Sequence, residues 1–200
     1  MNNADEITIS TPTGEQRVKK LNAHKAVSSV AFEMDSTGRI TELNFEPKES
    51  VTLPDTIDGI PVTAIGDSLF LGKDTLERVY LPSTVTNIEK SAFSGCINLK
   101  SIYLPSSVSE IGTEAFSNCS SLTNISLPPN ISQIQDKMFF GCSALRRVTL
   151  PNGLTQIGSG AFSGCESLTE ITIPQEVTRI EHSTFNGCSA LQNITLPSNI

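Results

Sequence analysis

Tryptophan is missing from this chain, and histidine and tyrosine occur only twice each among its 200 residues. His24 and His182 are the only imidazoles. Neither comes with a Ser/Asp or Cys pattern that would couple a nucleophile to a base, so the sequence offers no triad and no metal site. Basic residues are scarce as well: 14 Lys and Arg stand against 21 Asp and Glu, a net charge of −7. In the repeated part of the chain no Lys/Arg cluster alternates with aromatics, so a nucleic-acid footprint is absent. The group Arg17, Lys19, Lys20 and Lys25, near His24, reads as a solvated surface at one end of the molecule. No apolar run approaches the roughly 18 residues that mark a membrane-spanning helix. The opening MNNADEITIS has no apolar core of a secretory signal. The glycine patterns that cradle phosphates, G-x-x-x-x-G-K-[ST] and G-x-G-x-x-G, do not occur, so no nucleotide or other cofactor is expected.

What the chain does have is a repeat. Residues 88–110, IEKSAFSGCINLKSIYLPSSVSE, return with small changes as 111–133, 134–156 and 157–179. A degenerate copy begins at Ile65, and a last one runs from Ile180. Apolar residues stay in column: Ile65, Ile88, Ile111, Ile134, Ile157 and Ile180; Phe70, Phe93, Phe116, Phe139, Phe162 and Phe185; Leu76, Leu99, Leu122, Leu145, Leu168 and Leu191. A proline column, from Pro82 to Pro197, closes each unit. Fixed self-similarity at this period is the signature of a solenoid.

Within a unit, residues 99–104 (LKSIYL) end in the apolar–polar alternation of a strand with one buried face. The proline that follows has no N–H with which to extend a ladder. Ile88, Ala92, Phe93 and Cys96 are apolar at i, i+4, i+5 and i+8, which predicts one or two helical turns opposite the strand. Gly95, Gly141, Gly164 and Gly187 supply backbone freedom where each coil turns. No unit folds alone: its buried side chains stabilise it by less than the entropy of ordering its backbone, and stacking closes that gap.

Residues 1–50 do not fit the repeat and are expected to form a β cap, with 51–200 as the solenoid. The alternation from Val30 to Met34, the turn at Asp35 to Gly38 and the apolar Ile40, Leu43 and Phe45 predict a hairpin covering the first coil. Ile7 to Ser10 reads as a further short strand. Val51-Thr-Leu-Pro54 matches the strand end of a unit, and Asp58-Gly59-Ile60-Pro61-Val62 is an insertion that reads as a bulging turn. The last strand, 191–196, is expected to leave an open edge, a feature that invites self-association.

All five cysteines, Cys96, Cys119, Cys142, Cys165 and Cys188, share one column. Zinc ligands pair at about two to four residues, so this spacing is not a zinc pattern. Among Ala and Phe the thiols read as small buried hydrophobes, with a disulfide along the column as the alternative. Sequons at Asn118, Asn124, Asn130 and Asn193 have meaning only in a eukaryotic secretory pathway.

The L-x-x-I-x-L-P strand, the V-x-x-I-G turn of residues 108–112 and the A-F-x-x-C of residues 115–119 resemble the leucine-rich repeats of the BspA-like, treponemal class. The resemblance covers residues 51–200. It implies an α/β solenoid: a right-handed leucine-rich repeat superhelix with a parallel β-sheet on one face and short helical turns on the other. It also implies a bacterial surface or secreted protein whose signal has been removed, one that binds other macromolecules. The class shares no catalytic residues, so none is carried over and no enzymatic activity is expected.

The residues flanking the buried Val/Ile of each strand face outward. One column reads Arg78, Ser101, Asn124, Arg147, Glu170 and Asn193; the other opens with Tyr80 and Tyr103. Tyr and Thr suit exposed strand positions for their β-propensity alone. Tyrosines beside arginine also make the composition of interface hot spots. Arg78, Tyr80, Ser101, Tyr103, Asn124 and Arg147 are therefore the candidate binding residues, for a protein or glycoprotein partner without membrane insertion or nucleic acid. A structural spacer without a ligand of its own is the alternative reading.

Overall fold

The computed structural model describes residues 31–198 and the backbone of two earlier strands, Glu6–Thr11 and Gly14–Lys19, which pair antiparallel. The side chains of Arg17 and Lys19, and residues Lys20, His24, Lys25 and 27–30, lie outside that description.

Each repeat makes one coil of a parallel β-solenoid and contributes two strands, not one. The longer strands are Ser50–Thr52, Arg78–Tyr80, Ser101–Tyr103, Asn124–Ser126, Arg147–Thr149, Glu170–Thr172 and Asn193–Thr195. The shorter are Ala64–Ile65, Asn87–Ile88, Glu110–Ile111, Gln133–Ile134, Gln156–Ile157 and Arg179–Ile180. Both sets pair parallel and in strict register, Ile102 on Val79 and Ile88 on Ile65. In the long strands the central Val or Ile is buried and its two neighbours are exposed, up to Glu170–Thr172. The last, Asn193–Thr195, is exposed throughout. The long ladder is interrupted after Ser101–Tyr103 and after Arg147–Thr149, the short one after Glu110–Ile111.

The expected helical turns opposite the strands are not there. Over residues 88–96 the backbone N–H groups alternate between two destinations. Those of Ser91, Phe93 and Gly95 donate to the carbonyls of Thr113, Ala115 and Ser117 in the next coil, at 2.7–2.9 Å. Those of Ala92, Ser94 and Cys96 close local turns on Glu89, Ser91 and Phe93. The alternation requires positive φ at two positions, +53° at Ser91 and +73° at Gly95. The equivalent residues of the other coils repeat it, with Glu114, Lys137 and Ser183 in the first column and Asn118, Gly141 and Gly187 in the second. A left-handed non-glycine residue costs about 1–2 kcal/mol. Inter-coil hydrogen bonds, about 1 kcal/mol each and obligatory for buried amides, offset that cost. An α-helix would satisfy the same N–H groups within one coil and leave nothing to join coils on this side. The apolar spacing misled because two tight turns bring the same four side chains inward.

The core is built from columns. Phe70 to Phe185 form one continuous stack, with ring centroids 5.0–5.7 Å apart and interplanar angles of 2–8°. Beside it the cysteines are free thiols. The Cys96 thiol donates to the Phe70 carbonyl at 3.0 Å, Cys119 to Phe93 at 3.1 Å, Cys142 to Phe116 at 3.0 Å, and Cys165 and Cys188 continue the series. Each of these carbonyls also accepts a backbone N–H of its own coil, from Lys73 at Phe70 and from a cysteine in the others, such as Cys119 on Phe116. Burial disfavours the thiolate and pushes Cys96 and Cys142 up to about 12; Cys119, Cys165 and the half-buried Cys188 are also raised by burial.

At the N-terminal end, Phe32–Met34 pairs antiparallel with Arg39–Leu43, which in turn pairs parallel with Ala64–Ile65. This hairpin thereby extends the short-strand sheet by two strands. Its turn is held by Asp35, whose carboxylate accepts from the Thr37 hydroxyl at 2.6 Å, the Thr37 N–H at 2.9 Å and the Arg39 Nε at 2.9 Å. These bonds, those from Thr37 foremost, lower its pKa from an ordinary 3.8 to about 2. The insertion after residue 55 is a second, smaller hairpin, Thr56–Ile57 against Ile60–Pro61. Asp58 and Gly59 form its tip with φ of +50° and +84°, the pair of left-handed residues a two-residue primed turn needs.

Three outcomes follow. Phe116→Ala opens a cavity inside an unbroken ring stack and is expected to cost about 3–5 kcal/mol in urea unfolding; a loss under about 1 kcal/mol would contradict its full burial. In the native protein at pH 8, Cys96, Cys119, Cys142 and Cys165 should resist a thiol reagent, whereas denaturation without reductant should release all five thiols. Because the folded Asp35 carboxyl titrates below its ordinary value, its contribution is complete above about 3.8 and is lost as pH falls through about 2. A carboxyl midpoint near 4 by NMR would show that the Asp35–Thr37 turn does not form in solution.

Candidate functional site

Each long strand up to Glu170–Thr172 stops two residues before a proline and holds one buried residue between two exposed ones, so its outward side chains form ladders. On the first hydrogen-bonded block, Arg78 lies in register with Ser101 and Tyr80 with Tyr103. Tyr103 is 76% exposed and Tyr80 52%, the largest outward aromatic surface among the described residues. Asn124 and Arg147 are in register with each other on the next block, across the interruption from Tyr103. The six candidate residues therefore fall into two groups, Arg78, Tyr80, Ser101 and Tyr103 in one, Asn124 and Arg147 in the other.

Charge on this face is partly committed. The Arg147 guanidinium lies 3.5 Å from the Glu170 carboxylate of the next coil. The Glu77 carboxylate is held at 2.6 Å by Lys100 and lies 3.9 Å from Arg78; the Lys100 hydrogen bond lowers its pKa. Both arginines stay about half exposed or more. A partner carboxylate would compete with these surface pairs at little cost, since exposed ion pairs contribute about 0–1 kcal/mol.

A depression lies elsewhere, on the short-strand face. A groove of about 510 Å³ is lined by residues including Arg39, Asn87, Glu89, Glu110, Gln133 and Gln135. A smaller one of about 110 Å³ shares Gln133 and Gln135 and reaches Arg179 and Glu181. None of the six candidate residues borders either. The signal was present in the sequence: polar residues flank the Ile column as Asn87-Ile88-Glu89 and Gln133-Ile134-Gln135, the same alternation that marks the long strands.

Stacking also creates one contact that pairwise spacing along the chain hides. Ser159 and His182 occupy the same column, and the Ser159 hydroxyl lies 2.9 Å from the His182 Nε2. Asp136, one coil earlier, accepts from the Ser159 N–H at 2.7 Å. The carboxylate thus sits on the serine's far side, and among the described residues none is hydrogen-bonded to the imidazole's other nitrogen. The base has no orienting group, which is the part that makes such a pair a nucleophile–base unit. Among the described residues no cluster of His, Cys, Asp and Glu has the geometry of a metal site.

A comparison with curated proteins finds no match. Solved structures do match. A leucine-rich repeat protein of T. pallidum is 36% identical with a TM-score of 0.80, over 84% of this chain and 81% of that one. A leucine-rich repeat protein of Bacteroides ovatus is 28% identical with a TM-score of 0.66, over 84% and 51%. A leucine rich cell surface protein of Faecalibacterium prausnitzii is 32% identical with a TM-score of 0.63, over 82% and 52%. The chain spans about half the length of these last two. The family model described as BspA type leucine rich repeat region matches in six copies over residues 44–165 and 110–200. Columns, coils and matches agree: this chain belongs to the BspA-type leucine-rich repeat family.

Proposed function

We propose that this chain is a non-enzymatic binding module that recognises a protein or glycoprotein through the long-strand face. The observation that carries the reading is the in-register pair Tyr80 and Tyr103, exposed on adjacent hydrogen-bonded strands with Arg78 beside them. Strands fixed by a ladder hold these rings in place, so they lose little conformational entropy when a partner covers them. Arginine next to them adds directional hydrogen bonds. Asn124 and Arg147 extend the same face past the ladder interruption. The leucine-rich repeat family commonly mediates protein binding or adhesion, and one similar chain carries the name of a cell surface protein. We place this protein on the bacterial surface or among secreted proteins on that support.

The test is binding to intact cells and to immobilised matrix glycoproteins, followed by mutation. With a partner in hand, Tyr80→Ala combined with Tyr103→Ala is expected to weaken binding by at least roughly 2 kcal/mol while the melting temperature stays unchanged. Unchanged affinity in the double variant would remove the long-strand face from the interaction.

A further inference from the structure

Only two asparagines of the chain are followed by glycine, Asn152 and Asn186. An Asn-Gly step carries its own reaction. The glycine's backbone nitrogen, once it has lost its proton, attacks the side-chain carbonyl carbon of the asparagine, because no Cβ shields it. The attack needs the peptide plane between the two residues to rotate until the nitrogen meets Cγ. What holds that plane therefore decides whether the step reacts, and the fold treats the two steps differently.

Asn152 and Gly153 are the middle of the turn that joins Arg147–Thr149 to Gln156–Ile157. Both are exposed, and a Cβ on Gly153 would meet nothing within 4 Å. One backbone hydrogen bond spans the pair, from the Leu154 N–H to the Pro151 carbonyl at 3.1 Å. In the two preceding coils a side chain at the position of Gly153 ties the turn to the coil before it. The Ser107 hydroxyl donates to the Val85 carbonyl at 2.6 Å, and the Asn130 amide to the Ser106 carbonyl at 3.0 Å. Glycine cannot make that bond, so this turn lacks the brace. At Asn186 the plane is pinned. The Asn186 carbonyl accepts from the Gly164 N–H at 2.7 Å, the Asn186 N–H donates to the Ser183 carbonyl at 3.1 Å, and the Gly187 carbonyl accepts from the Ser189 N–H at 2.9 Å. Gly187 is held at a φ of +75° besides.

We propose that Asn152–Gly153 is a self-modification site, at which the folded chain converts Asn152 to aspartate and isoaspartate. The Gly153 nitrogen forms a bond to the Asn152 Cγ, and the side-chain amide nitrogen leaves as ammonia. Water then opens the five-membered imide at either carbonyl; nothing is oxidised or reduced. The product carries a carboxylate in place of a neutral amide, one negative charge beyond the chain's −7, placed between the two strand ladders. In the isoaspartyl form the backbone gains a methylene inside a turn whose ends, Pro151 and Leu154, are buried.

Incubation of the full chain at pH 8, followed by peptide mass mapping, reads both steps in one sample. In the folded chain Asn152 should convert about tenfold or more faster than Asn186, whose plane turns only after the bonds to Gly164 and Ser189 break. In urea the two should convert at similar rates, which assigns the difference to the fold and not to the neighbouring residues. The exchange of an amide for a carboxyl changes the peptide mass, which separates it from isomerisation at Asp58–Gly59, where the mass stays the same. The proposal is overturned by equal rates at Asn152 and Asn186 in the folded chain, by faster conversion at Asn186, or by an intact Asn152 in the folded chain once the unfolded chain has converted.

Discussion

Everything in this molecule depends on where alternate backbone N–H groups go. In a globular domain the amides of a turn are satisfied inside that turn. Here Ser91, Phe93 and Gly95 send theirs across to the next coil, and each coil does the same to its successor. No coil is complete without a neighbour, and stability becomes a sum of interfaces between neighbours. The positive φ values, the phenylalanine stack and the thiol–carbonyl series are consequences of that one arrangement. Coils that must hydrogen-bond along an axis must stay in register, and coils in register place like residues upon like.

That logic explains how much could be read in advance. The columns of Ile88, Phe93, Leu99 and Ile102 were legible because a repeat writes the core once per unit, and the strand Ser101–Tyr103 followed from its alternation and its proline. The hairpin at Asp35 was legible from turn chemistry. The helix was not excluded, because Ala92, Phe93 and Cys96 point inward at spacings that a helix and a pair of tight turns share. What separates the two is the left-handed backbone at Ser91, Glu114 and Lys137, and no side-chain preference announces it at serine, glutamate or lysine. Asn118 is the exception: it stands in the glycine column, and asparagine is the residue that best tolerates that conformation. The short strands went unread although polar residues flank the Ile column, because a single apolar residue between two polar ones is as common in a turn as in a strand. With them went the groove, which is assembled from residues one repeat apart.

The two ladders give the surface two characters. The long-strand face is broad and carries the exposed tyrosines, with charges arranged in loose pairs. The short-strand face is concave enough to form a groove, and amides and carboxylates line it. Among the described residues, neither face presents a group with the buried, perturbed ionisation that marks acid–base machinery. The strongly raised groups are the cysteine thiols, and burial in the core, away from both faces, is what raises them.

The residues after the Ile column alternate between glycine and a polar side chain, Gly66, Glu89, Gly112, Gln135, Gly158 and Glu181, and this carries a consequence for how such chains change length. Repeats of one size are gained and lost by duplication, and the core accepts any whole number of them. The groove does not. Inserting a single coil shifts every downstream residue by half a wavelength and splits the face into two segments out of phase. Pairs of coils leave the pattern intact. The unit of folding is therefore one coil, while the unit of surface inheritance is two.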